Sequence, residues 1–174
     1  MMKTILVPTD GSSHARKVLA PAYGFAEKFG ARLVLVRVLL RDAAPDDLRA
    51  VINTKRLPKA IRRELERVEG VPLAAASRGG GYVAPPIPTS VLEAVCSRIL
   101  DAAKRSAERS GVKNVSFHVA EGDPAMRILE CAKQEKADMI VMGKRGLGSL
   151  QELFIGSVSH RVGSLAACPC TTVK

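Results

Sequence analysis

Met139-Ile140-Val141-Met142-Gly143-Lys144-Arg145-Gly146-Leu147-Gly148 is the stretch on which the fold turns. Its first four residues are an uninterrupted apolar run, too short for a helix and without the alternation of a half-exposed strand. They read as an inner strand of a sheet covered on both faces. Glycine follows at once and recurs at 146 and 148, ending the strand in a loop. Further on, Val158, Val162, Leu165 and Ala166 fall at helical spacing, so strand, glycine loop and helix follow in order.

The same grammar appears on both sides of this stretch. Lys3–Pro8 and Arg32–Leu40 are short β-branched and Leu-rich runs, the second interrupted only by Arg37. Between them a helix is predicted to open at Ser12 or Ser13 and to stop at Gly30. It carries Val18, Leu19, Ala22, Phe25, Ala26 and Phe29 inward, and Pro21 predicts a kink. Val115–Ala120 alternates as a strand. Asp123-Pro124 supplies an N-cap and a proline at the first helical position, ahead of Ile128, Leu129 and Ala132. Cys168–Val173 closes the chain as a fifth strand.

Roughly 75 residues separate the second strand from the third, where a plain βαβ crossover needs about 30, so residues of about 41–89 include an insertion. Asp46–Glu69 is predicted helical and is dense in charge, whereas Gly70–Pro88 holds Gly79-Gly80-Gly81 and Pro85-Pro86 and is predicted to be a loop. Ser90 and Glu93 form an expected capping box before a helix through Leu92, Val95, Cys96, Ile99, Leu100 and Ala103 that ends at Gly111. Alternating strands and helices with right-handed crossovers predict an α/β protein. The expected form is a three-layer α/β/α sandwich on a five-stranded parallel sheet in the order 3-2-1-4-5.

Composition narrows the partners. The chain has 174 residues, a length suited to one domain over 1–174, and a net charge of +10 that favours anionic partners. Aromatic residues make up only 3% and Trp is absent, which disfavours base-stacking single-strand readers; nucleic acid is therefore not the expected partner. No apolar run approaches the ~20 residues of a membrane span, and Met1–Pro8 reads as a strand rather than a signal peptide, so a cytoplasmic location is expected. Cys96, Cys131, Cys168 and Cys170 lack metal-ligand spacing and are expected to be ordinary buried or half-buried residues.

In such a sheet, ligands bind beyond the carboxyl ends of the strands where the order reverses, here between the first and fourth. Two loops should meet there, Pro8-Thr9-Asp10-Gly11-Ser12-Ser13 and Gly143-Lys144-Arg145-Gly146-Leu147-Gly148-Ser149. Gly143, Gly146 and Gly148 allow close backbone approach, and Lys144 and Arg145 add positive charge. The helix opening at Gly156-Ser157-Val158-Ser159 presents amides and a positive dipole end to distal phosphates. Asp10, an acceptor, suits ribose hydroxyls or a cation. Neither the Walker pattern nor the dinucleotide fingerprint is present.

Gly143-x2-Gly146-x9-Gly156-Ser157 resembles the nucleotide-binding signature of the universal stress proteins, in particular their ATP-binding branch. Ile5–Ser12, Ala137–Gly143 and the ending Cys168–Lys174 share the resemblance, which leaves out only about Arg41–Thr89. It implies an adenine nucleotide alpha hydrolase-like fold that binds ATP, with or without magnesium. By this resemblance Pro8, Thr9, Asp10 and Val38 line the adenine and ribose site. The triphosphate lies on Gly143, Gly146, Gly148, Ser149, Gly156, Ser157, Val158 and Ser159. It further implies a homodimer through the C-terminal strand. Two departures stand out: Lys144-Arg145 occupies the place where the family often has Ser or Thr then His or Arg, and the region after the second strand is enlarged.

His14, His118 and His160 are scattered without a nucleophile partner, and only His14 neighbours the first loop, so no catalytic residue is assigned. A nucleotide-dependent regulator with an unidentified protein partner is expected rather than a dedicated enzyme, slow ATP hydrolysis being compatible with it. The alternative is an interaction module that binds an acidic protein or nucleic acid through the basic insertion, against which Asp46, Asp47, Glu64, Glu66 and Glu69 set interspersed negative charge.

Overall fold

The computed structural model describes residues 2–39, 57–69, 87–144 and 156–174. In chain order these form β1 (Thr4–Pro8), α1 (Ser13–Phe29), β2 (Arg32–Leu39), α2 (Lys59–Glu69), α3 (Thr89–Arg109), β3 (Val115–Glu121), α4 (Pro124–Gln134), β4 (Met139–Gly143), α5 (Ser157–Leu165) and β5 (Cys170–Val173). All strands run parallel in the order β3-β2-β1-β4-β5, as the alternation of elements predicts.

Strand alternation sends successive side chains to opposite faces, and both faces are covered. Ile5, Val7, Leu33, Leu35 and Val141 pack beneath α1 and α3, against Val18, Ala22, Cys96, Leu100 and Ala103. Leu6, Val34, Val36, Ile140 and Met142 pack on the other side against Ala125, Ile128, Ala132 and Val162 of α4 and α5. Each aliphatic side chain taken fully out of water contributes about 1.5–3 kcal/mol, which fixes the register of the three inner strands.

Helix ends follow the local chemistry. Ser12 caps α1 by accepting the Ala15 amide, Gly30 ends it with φ +62°, and the helix is continuous through Pro21. Asp123 caps α4 by accepting the Met126 amide, with Pro124 behind it. Between Ser90 and Glu93 the expected capping box is not formed. Pro88 takes the cap position of α3, and the Ser90 hydroxyl, one residue inside the helix, donates instead to the Glu64 carboxylate of α2. With the cap position at Pro88, Ser90 lies inside the helix and its hydroxyl gives its proton to a carboxylate rather than accepting a first-turn amide.

Three other expectations shift. The charged helix begins at Lys59, not earlier within the described residues, because Pro58 precedes it and accepts the Arg62 amide; residues 46–56 and 70–86 of the predicted helix and loop lie outside the described residues. It docks through Leu65 and Ile61 on a third apolar cluster with Val91, Val95 and Ile99 of α3. The last strand begins at Cys170, because Pro169 has no N–H to pair and contributes only its carbonyl, to the Ile140 amide. Finally, Phe29 and Leu165 end their helices exposed rather than inward.

The amino edge of the sheet is closed by charge. The Asp138 carboxylate accepts the Lys3 and Thr4 amides at 2.7 and 2.9 Å. Arg32 reaches the Glu135 carboxylate at 2.7 Å, and the other oxygen of that carboxylate meets His118 Nε2 at 2.6 Å.

Candidate functional site

At the opposite edge β1 lies between β2 and β4, so the strand order reverses at the carboxyl end of β1. The chain leaving it is tied down residue by residue. The buried Thr9 donates its amide to the Val36 carbonyl at 2.8 Å, one step beyond the β1 ladder, and its Oγ1 receives the Gly11 amide at 3.4 Å. Asp10 Oδ1 accepts the Ser12 amide at 2.9 Å, and Arg16 donates to the Gly11 carbonyl at 2.7 Å. Gly11 has φ +79°, and a Cβ there would lie 2.6 Å from Ile99 Cδ1, so the loop demands glycine for conformation and for room. Pro8 and Asp10 remain half-buried at the edge, as does Val38 at the end of β2.

The other wall begins where β4 ends. Lys144, directly after Gly143, donates its amide to the Val173 carbonyl of β5 at 2.8 Å. Its carbonyl accepts the Gly156 amide at 2.9 Å and the Ser159 hydroxyl at 2.7 Å. That hydroxyl also lies 2.9 Å from the Gly156 carbonyl, and Ser159 is 4% exposed. Ser159 therefore fastens the first turn of α5 to the end of β4 and spends its proton inward. Gly156 starts α5 with no side-chain capping bond, while Ser157 stands exposed and Val158 half-buried. Amides of a first turn left without a side-chain cap are suited to an anion.

The structure thus brings Pro8, Thr9, Asp10 and Val38 on one side, and Gly143, Lys144, Gly156, Ser157, Val158 and Ser159 on the other, to the carboxyl edge of the sheet. Arg145, Gly146, Gly148 and Ser149 lie outside the described residues, as does the side chain of His14. His118 belongs to the charge cluster of the amino edge, and His160 is exposed on α5. Cys96 and Cys131 are buried, and burial pushes both thiols up to about 11; Cys168 and Cys170 are half-buried with thiols also raised by burial. On α2, Lys59, Arg62, Arg63 and Glu66 line an open surface hollow of about 560 Å³.

One residue escaped the motif reading. Arg37 is 5% exposed, follows Leu33 and Leu35 on the face covered by α3, and lies one step past the Pro8 to Val36 pairing, beside Thr9. Burial lowers its affinity for a proton, opposed by Cys96 and then by Asp10. Its only signal in the sequence is a charge inside an otherwise apolar strand.

The Universal stress protein family model matches residues 1–174. The chain belongs to the universal stress protein family. A universal stress protein of Thermus aquaticus, from the QAH/OAS sulfhydrylase 3′ region, is 34% identical over 174 residues, covering all of both chains. Among solved structures, a universal stress protein in complex with cAMP superposes with TM-score 0.63 at 20% identity, over 99% of this chain and 97% of that one. The universal stress protein of Archaeoglobus fulgidus in complex with dAMP superposes with TM-score 0.60 at 18% identity, over 100% and 98%. These likenesses show that the universal stress protein fold is shared along the whole chain.

Proposed function

We propose that this universal stress protein binds an adenine nucleotide, ATP in the first instance, in the crevice between β1 and β4, and acts as a nucleotide-dependent regulator of the stress response. The observation that carries the reading is the start of α5. A helix that opens on glycine, lacks a side-chain cap and is fastened by Ser159 to the end of β4 offers preset backbone donors beside two cations of sequence, Lys144 and Arg145. Asp10 and Thr9 on the facing loop provide oxygen acceptors for the sugar, and Val38 an apolar contact for the base. Gly146, Gly148 and Ser149 complete the phosphate cradle in this reading. The cAMP and dAMP complexes of relatives support the ligand class.

The residues fit the group chemically, because backbone amides and cations match phosphate oxygens while a carboxylate matches hydroxyls. Bound magnesium would supply charge neutralisation at the phosphates. No side chain is assigned as general base, so turnover is not part of the reading. A homodimer through β5 accompanies it, since among the described residues β5 is the edge strand beside β4, and a second copy would pair with that edge. The alternative, an interaction module built on the basic insertion, is weakened by α2, whose Leu65 and Ile61 are committed to the fold against α3.

Calorimetric titration with ATP, ADP and AMP, with and without magnesium, tests the reading. Saturable heat at millimolar or lower ligand is expected, with ATP tightest, and Gly146→Val should weaken it by blocking backbone approach. Absence of heat with all three nucleotides would overturn it.

A further inference from the structure

The Gly11–Ser12 peptide is held at both of its polar ends. Its carbonyl accepts Arg16 Nη1 at 2.7 Å, and its N–H donates to Asp10 Oδ1 at 2.9 Å. A cation on α1 and a carboxylate at the carboxyl edge of the sheet are thus joined through one peptide unit. Gly11 and Ser12 are buried, and Arg16 reaches them from an exposed position on the helix.

Local geometry leaves this carbonyl to a side chain. Ser12 is the N-cap of α1, so the helix ladder starts with the Arg16 amide on the Ser12 carbonyl at 3.0 Å, and the Gly11 carbonyl falls one residue short of it. Arg16 takes both, its amide holding Ser12 while its side chain turns back to Gly11. A buried carbonyl needs a donor, and a neutral one would meet that need. A guanidinium does more: a charged donor makes the stronger bond and polarises the peptide, which makes the Ser12 N–H a better donor to Asp10. The remaining constraints on the loop act differently. The Gly11 amide meets Thr9 Oγ1 only at 3.4 Å, and Ile99 of α3 occupies the space a Gly11 side chain would take. Ile99 fixes where Gly11 lies; the bonds to Arg16 and Asp10 fix how its peptide plane turns.

We propose that Arg16 is a positioning residue of the crevice: through the Gly11–Ser12 peptide its guanidinium sets the Asp10 carboxylate in the orientation that receives the sugar hydroxyls of the nucleotide. The identity of the ligand rests on the nucleotide reading above, whereas the relay from Arg16 to Asp10 exists without ligand. Arg16 acts through Asp10 and does not contact phosphate.

Arg16→Met removes the donor, Arg16→Ala is a second neutral variant at this exposed position, and Arg16→Lys restores a cation. Lys17→Met removes the exposed charge next to it in sequence and serves as the control for net charge. In the ligand-free protein, the Ser12 amide should exchange about tenfold faster in both neutral variants and move upfield in the proton NMR spectrum. Both changes should reverse in Arg16→Lys and be absent from Lys17→Met. Affinities for ATP and for adenosine should each fall about tenfold in Arg16→Met, because the loss lies at the sugar and not at the phosphates. The Arg16→Met, Asp10→Asn double variant should bind no worse than Asp10→Asn alone, the signature of one coupled unit. An unchanged Ser12 amide in the neutral variants, a lysine variant that behaves as they do, a loss confined to ATP, an equal loss in Lys17→Met, or additive losses in the double variant would each overturn the proposal. A wild-type protein that binds neither ATP nor adenosine would overturn the nucleotide reading and the sugar-facing part of this one, while the Ser12 amide still judges the relay between Arg16 and Asp10.

Discussion

The Ser159 hydroxyl lies 2.7 Å from the Lys144 carbonyl oxygen, between residues 15 apart in sequence, and joins the first turn of α5 to the end of β4. Ser159→Ala removes a buried donor that also faces the Gly156 carbonyl. The expected loss is about 1 kcal/mol in urea unfolding, because the Lys144 carbonyl keeps the Gly156 amide as a partner. If the nucleotide reading holds, ATP should also leave faster, since the amides of α5 lose their anchor. A variant as stable as wild type would show that the backbone bond alone sets this junction.

At Gly11 the expected penalty is steric and conformational at once. Alanine at φ +79° costs about 1–2 kcal/mol, and its Cβ would meet Ile99 Cδ1 at 2.6 Å. Ile99→Val deletes that nearest atom at a cost of about 0.5–1.5 kcal/mol on its own. Gly11→Ala should therefore be less damaging in the Ile99→Val background than in wild type, read as non-additive urea midpoints. Strict additivity would place the whole penalty in the backbone.

The fold was legible where apolar runs are unmixed. Leu33–Val36 and Met139–Met142 are too short and too apolar to be anything but inner strands, and with Asp123-Pro124 and Gly30 marking helix ends the strand order followed from crossover handedness. What stayed hidden depends on contacts between segments distant in sequence. Ser90 and Glu93 satisfy the local capping rule, yet the helix starts at Thr89 with Pro88 in the cap position, and the Ser90 hydroxyl donates to Glu64 of α2. Ser159 has the composition of a phosphate ligand, but only the approach of Lys144 reveals that its proton is spent inward. Arg37 interrupts a strand in a way that sequence pattern marks only as an exception, because the pattern does not contain the loop and helix that enclose it.

Acid should act through two carboxylates held by backbone amides, Asp138 at the amino edge and Asp123 at the start of α4. Backbone amides of Lys3 and then Thr4 hold the Asp138 carboxyl below its ordinary value of 3.8. The Met126 amide does the same, first among several groups, for Asp123, whose ordinary value is also 3.8. A group whose folded value is depressed contributes stability that is complete above the unfolded value and is lost as pH falls through the folded one. Stability should thus be flat above that range and decline below it. In urea unfolding across this range, Asp138→Asn should make the decline shallower; an acid limb identical to wild type would show that Asp138 contributes nothing to it.

Thiol chemistry should divide the four cysteines. Cys96 and Cys131, buried and with thiols pushed to about 11, should resist an aromatic disulfide reagent at neutral pH until the protein unfolds. Any reaction in the native state should come from the half-buried Cys168 and Cys170, and slowly, because burial raises both. Mass spectrometry of the labelled peptides reads the split directly. Native labelling of Cys96 ahead of the C-terminal pair would contradict the burial order.

The charge network that closes the amino edge has a practical meaning of its own. Asp138, Arg32, Glu135 and His118 form a charge cluster away from the carboxyl edge, where the β1 loop and the start of α5 meet. The molecule therefore has a handle and a mouth on opposite poles. A fluorophore or surface tether attached near Lys136, exposed beside Glu135, would leave the crevice unobstructed, so an immobilised protein should report ligand binding without interference from its attachment.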